Sequence, residues 1–258
     1  MQNENAINIL FLHHSTGRVI WTGKPSGVDV IKNVFNNVYQ VPDWFIEYNQ
    51  TNGTNYAIKE QSFPNKEPYG WKNYPFDYYN IWVKNAGSEL FMDEPTLEIL
   101  TKNNDVIIFK HCFPVSKVDE NTGIPDINSE EKRLENYKVQ YNALKKKIHE
   151  FQDTKFIVWT SPVLLENHTN PDEAQRSKDF VNWVISEWDE PTDNIFIWDF
   201  NKLQTEGGLY LPVKNARNKS DSHPSESFAK EVAPLFCQRI VDVIENNGEK
   251  TYLTGIMK

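Results

Sequence analysis

The stretch Ile7-Asn8-Ile9-Leu10-Phe11-Leu12-His13-His14-Ser15-Thr16-Gly17 constrains this chain more than any other. A short apolar run such as Ile7 to Leu12 suits a strand buried on both faces, as in a parallel sheet. It stops abruptly in two histidines, a serine and a glycine. In open α/β sheets, ligands bind beyond the carboxyl ends of the strands. A hydroxyl, two imidazoles and a flexible glycine therefore arrive where such sheets do their chemistry. Ser15 is the candidate nucleophile. The alternative is a polar strand-to-loop turn, and a lone Ser-x-Gly does not separate the two.

The same pattern recurs along the chain. Asp105-Val106-Ile107-Ile108-Phe109-Lys110 is a second buried-strand signal, and it ends in His111-Cys112-Phe113-Pro114. Residues 155–160 and 195–199 give two more, and 56–61 a weaker one. Helical spacing lies between them. It covers Val28, Ile31, Val34, Phe35 and Val38 with Ser26 as a possible N-cap, and then 41–50 with Trp44, Phe45 and Tyr48. A short piece at 96–100 follows Asp93-Glu94-Pro95, and a long helix opening at Ser129 carries Leu134, Tyr137, Tyr141, Leu144, Ile148 and Phe151. Residues 171–188 form another helix, and a closing helix capped by Ser225 contains Pro234, which predicts a kink or a division. Residues 18–25 and 201–222 read as loops. Residues 63–84 are too aromatic for a linker and too broken for regular structure, which predicts a wall beside the site or, equally, an irregular packing layer.

Five strands alternating with helices indicate βαβ units with right-handed crossovers. The expected fold is a three-layer αβα sandwich around a five-stranded parallel, doubly wound sheet. No linker or repeat divides the chain, so residues 1–258 are read as one domain.

Composition excludes several classes. At 258 residues the chain buries enough core to need no disulfide or metal staple. Its net charge of −9 and lack of a basic stripe argue against a nucleic-acid partner, with Lys145-Lys146-Lys147 read as a solvated helix face. Cys112 and Cys237 lie far apart, outside any CxxC pair, so a zinc ribbon is excluded. No apolar run approaches the ~20 residues that span a bilayer. The polar N-terminus shows no signal-peptide pattern, so the chain reads as cytoplasmic, or as exported with its leader removed. Eight tryptophans point first to extra rings in a well-filled core, with a ligand groove as the other use.

The second decisive feature is Asp221-Ser222-His223-Pro224, just before the closing helix. A serine becomes nucleophilic when an imidazole accepts its proton, and a carboxylate fixes that imidazole's tautomer. With Ser15, Asp221 and His223, the inventory of a triad is complete.

At these two end motifs the chain resembles the SGNH (GDSL-type) hydrolase superfamily. That family places its serine just after the first strand, and its Asp and His together near the C-terminus, before a closing helix. The resemblance implies a flavodoxin-like sheet, no cofactor, and hydrolysis or transfer of a small acyl group through an acyl-enzyme on Ser15, with His223 as general base. Family members often deacetylate carbohydrates, which implies a glycan ester as substrate. There are departures. His13-His14 replaces the usual Gly-Asp before the serine. Asp221 stands two residues before His223, and Ser220 holds the usual aspartate place. The family's oxyanion Asn is missing from Lys110-His111-Cys112-Phe113-Pro114. The resemblance therefore implies the Ser15 amide and Gly87 as oxyanion donors, with His111 or Lys110 replacing the Asn. His14, Trp71 and Trp82 are the candidate substrate-binding residues.

Two other readings remain open. One is a metal-dependent hydrolase using His13 or His14, His111, Asp221 and His223, although neighbouring strand residues point in opposite directions and no HExxH spacing is present. The other is an inactive SGNH-like domain that binds a glycan or a protein. His149 and His168 read as surface histidines.

Overall fold

The computed structural model describes residues 6–24 and 40–258. The helical spacing read at residues 26–38 lies outside them. Five strands, β1 (Ile7–His13), β2 (Tyr56–Ser62), β3 (Val106–Phe109), β4 (Lys155–Trp159) and β5 (Ile195–Trp198), form one sheet in the order β2-β1-β3-β4-β5. Every pair in it is parallel, with Ile9 opposite Ile58 on one side and Val106 on the other. The strand order reverses direction between β1 and β3, which makes the ends of these two strands the topological switch point.

Strand alternation sorts the core into two layers. Leu10, Leu12, Ile107, Phe109, Phe156, Val158, Ile195 and Ile197 face one helical layer. It comprises α3 (Pro75–Tyr79), α4 (Leu97–Leu100), α5 (Leu134–Ile148) and α6 (Pro171–Trp183). Ile9, Phe11, Val106, Ile108, Ile157, Trp159 and Trp198 face the other. That layer holds α1 (Ser15–Thr22), α2 (Gln40–Asn52), α7 (Phe200–Thr205) and α8 (Glu226–Asn246). The result is the expected αβα sandwich.

Four local readings are corrected. Residues 18–22 are helical rather than loop: α1 packs Val19, Ile20 and Trp21 into the core, and Gly23 ends it at φ 67° by donating its N–H to Val19 O. Much of 63–84 is helical too. α3 runs into a π-turn at Asn80–Lys84, and Tyr74, Tyr78, Ile81 and Trp82 are fully buried. α5 opens at Leu134 instead of Ser129, because Arg133 pairs with Asp119 as an isolated bridge and donates to Glu120 O. Residues 201–222 hold α7 and one strand of a hairpin, β6 (Ala216–Asn218), paired antiparallel with β7 (Asp221–Pro224) outside the main sheet.

Pro234 neither ends nor divides α8. A proline leaves the carbonyl four residues earlier without its amide donor. Here that carbonyl, Lys230 O, accepts from Gln40 Nε2 at 2.9 Å. Ser225 caps the helix as expected, accepting from Phe228 N. Both cysteines are free and buried. Among the described residues no helix is long and apolar enough to cross a membrane.

Candidate active site

Ser15 is the first residue of α1, directly after β1, and is half-buried. No side chain caps this helix end. Its first amides therefore lack helical acceptors and point outward with the positive end of the helix dipole. Gly17 serves by smallness rather than flexibility. A Cβ there would lie 2.5 Å from His13 Cβ, so only glycine lets α1 sit this close to the end of β1.

The two histidines before Ser15 point apart. His13 is buried, its Nδ1 2.9 Å from His14 O and its Nε2 2.8 Å from Glu60 Oε2 on β2. Glu60 also holds Arg18 of α1. Burial pushes the His13 ring below its usual 6.5, partly opposed by Glu60 and the His14 carbonyl. His14 donates through Nε2 to Pro64 O at 2.7 Å and stacks on Trp71 at 4.3 Å and 16°. Its burial lowers its pKa from 6.5 to about 4, so it stays neutral at ordinary pH.

Trp71 is half-buried, with its turn anchored from below. Asp77 Oδ2 accepts the amides of Lys72 (3.0 Å) and Asn73 (2.5 Å), and its Oδ1 accepts from the Tyr69 hydroxyl. Burial raises the Asp77 carboxyl to about 6 against these hydrogen bonds. Trp82 is a different case. It is a core ring, stacked on Phe63, with Nε1 donating to Pro95 O, and offers no surface to a ligand.

The hairpin supplies the other half. His223 Nδ1 lies 2.6 Å from Asp221 Oδ1, which also accepts the His223 amide at 2.9 Å. Arg217 donates to Asp221 Oδ2 at 3.0 Å. Burial pushes the Asp221 carboxyl up, but the hydrogen bonds from His223 and the charges of His223 and Arg217 outweigh it and hold it below the usual carboxylate range. The spacing of two residues suffices because the carboxylate folds back over its own strand. Phe113 sets its ring edge against His223 at 5.1 Å, and α1 packs against β7. Ser15, Asp221 and His223 thus belong to two elements in contact at the carboxyl end of the sheet. Among the described residues no hydrogen bond joins Ser15 to His223, and such bonds often tighten only when substrate binds.

The remaining candidates lie elsewhere. Lys110 is fully buried, its Nζ 3.6 Å from Cys112 Sγ. His111 turns into the core, its Nε2 2.5 Å from the Tyr141 hydroxyl, with Tyr78 against its ring. The Gly87 amide is committed to Glu98 Oε2 at 3.1 Å. The Gly87 amide is thus taken, and the Lys110 and His111 side chains are closed off from solvent, with His111 Nδ1 buried and unpartnered. The metal reading is corrected as well: His13, His14, His111 and His223 each bond to a different partner, and among the described residues no three His, Cys, Asp or Glu side chains converge.

Sequence reasoning missed Glu60, whose partners lie more than forty residues away, and Asp77 and Arg217, whose bonds are local but depend on turn and hairpin geometry. It also misjudged His168, which is half-buried and hydrogen-bonds Ser222 at 2.8 Å.

No protein-family model matches the chain, and no curated protein matches it. Solved structures similar to it include a mutant of a Geobacillus acetyl-xylooligosaccharide esterase, with a TM-score of 0.48, 13% identity, and 93% of this chain and 96% of that chain covered. Another is a Corynascus carbohydrate esterase family 2 enzyme with a carbohydrate-binding domain, at TM-score 0.48 and 11% identity, covering 95% and 69%. A third is an active-site mutant of a family two carbohydrate esterase from Clostridium thermocellum, at TM-score 0.42 and 9% identity, covering 95% and 66%. At such identities and scores these likenesses assign no activity to this chain. Its parallel sheet in the order β2-β1-β3-β4-β5, covered on both faces, is the flavodoxin-like arrangement expected of an SGNH-type hydrolase.

Proposed function

We propose that this chain is a serine esterase that removes a small acyl group, such as acetyl, from a carbohydrate hydroxyl. The observation that carries the reading is the 2.6 Å contact of Asp221 with His223, on a strand packed against the helix that Ser15 opens. With Nδ1–H donated to Asp221, His223 Nε2 is left as the proton acceptor. Ser15 Oγ attacks the acyl carbonyl and its proton passes to His223. The alcohol leaves with that proton, and water, or a second sugar hydroxyl, then releases the acyl group. The Ser15 amide at the α1 N-terminus supports the developing oxyanion. The exposed part of Trp71, backed by the neutral His14 ring, offers a flat apolar surface for a sugar face.

Hydrolysis of an aryl acetate and of an acetylated xylo-oligosaccharide, compared between the wild type and Ser15→Ala, tests the reading. Turnover lost in the variant is the expected result. Absence of turnover in both proteins, together with retained glycan binding, would instead support an inactive glycan-binding domain.

A further inference from the structure

We infer that His168, on the segment between β4 and α6, is a positioning residue for the Asp221–His223 pair, acting through Ser222. The inference rests on the proposed esterase reading for its consequence, but its geometry stands independently.

β7 alternates in burial. Asp221 and His223 are half-buried toward the site, and Ser222 between them is buried on the opposite side. A two-stranded hairpin outside a sheet is marginal by itself, so its position depends on what grips its back. Ser222 Oγ accepts the Leu165 amide at 3.1 Å and lies 2.8 Å from His168 Nδ1. Asn167 Nδ2 adds a bond to Lys219 O at 3.1 Å, at the hairpin turn. The segment 165–168 therefore holds the hairpin at three points, two of them on the residue between the catalytic candidates.

The hydrogen-bond inventory fixes the direction. A hydroxyl has one proton to give. Ser222 Oγ can accept twice, but it is buried and its bonds are to the Leu165 N–H and His168 Nδ1 alone among the described residues, so its own proton is paired only if it goes to His168 Nδ1. His168 is then the Nε2–H tautomer, and Nδ1 is the acceptor that keeps Ser222 turned inward. Removing that acceptor leaves a buried hydroxyl proton unpaired and frees the strand to rotate. Rotation carries Asp221 and His223 with it.

The test uses the full-length protein labelled with 15N-histidine, with ring tautomers read from long-range proton–nitrogen correlation spectra. Wild-type His168 is expected as the Nε2–H tautomer, and His223 as Nδ1–H with a strongly deshielded proton. In His168→Leu and in Ser222→Ala the His223 Nδ1–H signal is expected to move upfield or broaden, and kcat on an aryl acetate to fall about tenfold with KM nearly unchanged. In His168→Asn, whose Oδ1 can replace Nδ1 as acceptor, signal and kcat are expected to recover. An Nδ1–H tautomer at His168 would overturn the inference. So would a folded His168→Leu or Ser222→Ala protein with an unchanged His223 signal. If the wild type shows no esterase activity, the tautomers still decide the positioning role, so the two readings fail separately.

Discussion

The two halves of the candidate site are built on opposite principles. Ser15 is held by backbone. It follows a central strand of a parallel sheet and opens a helix pressed so close to β1 that Gly17 meets His13 with no room for a methyl group. Asp221 and His223 are held by side chains. Their strand belongs to a small hairpin outside the sheet, with Asp221 held by Arg217 of the hairpin's other strand and the hairpin held from behind by Leu165, Asn167 and His168. The nucleophile's place is therefore a property of the fold, whereas the base's place is a property of a polar network. Changes to the packing that seats Ser15 should show up as lost stability, and changes to the network that seats His223 as lost turnover.

The largest expected effect is at the nucleophile itself. Ser15→Ala should lower kcat by roughly 10⁴-fold or more, as removal of an activated serine does elsewhere. Its thermal midpoint should stay near the wild-type value, because the change trims one hydroxyl from a half-buried residue at a helix start. Asp221→Asn comes next. The amide can no longer accept Nδ1–H with a full charge, and kcat should fall by roughly a hundredfold or more with the fold intact by circular dichroism. Gly17→Ala probes the opposite half. Overpacking against His13 should cost about 2 kcal/mol in urea denaturation. A Gly17→Ala protein of full stability would show that α1 can slide, and would weaken the contrast between the halves.

The pH dependence sharpens the same contrast. His14 is depressed to about 4 in the folded chain, against 6.5 when unfolded. Between those values the unfolded chain binds the extra proton, so stability rises with pH across this window and is lost as pH falls from 6.5 toward 4. His14→Gln should lessen that slope without abolishing it, because burial also lowers the His13 and His111 rings and they act in the same direction. The smallest effect is expected at Trp71→Ala, with KM for a glycan ester raised several-fold, on the scale of about 1 kcal/mol, and kcat for an aryl acetate nearly unchanged.

Much of the fold was legible because buried parallel strands read as uninterrupted apolar runs, and 106–109, 155–159 and 195–198 stand out on that ground. Asp221 and His223 could be paired from the sequence because they stand two residues apart, and the structure puts them 2.6 Å apart; Ser15 could be placed only at the end of the first apolar run, where a polar turn reads the same way. α1 escaped notice because eight residues without a side-chain cap give too short a period. Trp71 and Trp82 could not be told apart from composition, since only packing shows that one ring reaches the surface and the other stacks on Phe63. His111 did carry a signal. Alternation places it on the Phe109 side, toward the tyrosine-rich layer and away from Ser15. The hairpin at 216–224 left little trace because its strands are short and polar, and its hold comes from residues some fifty positions earlier.

The central claim is that Ser15 is an activated nucleophile and that His223 activates it. Treatment of the folded protein with a fluorophosphonate, followed by intact-protein and peptide mass spectrometry, tests it most directly. The account predicts a single adduct on Ser15 that disappears in His223→Ala. An adduct on another residue, or none on a protein shown to be folded, would contradict it.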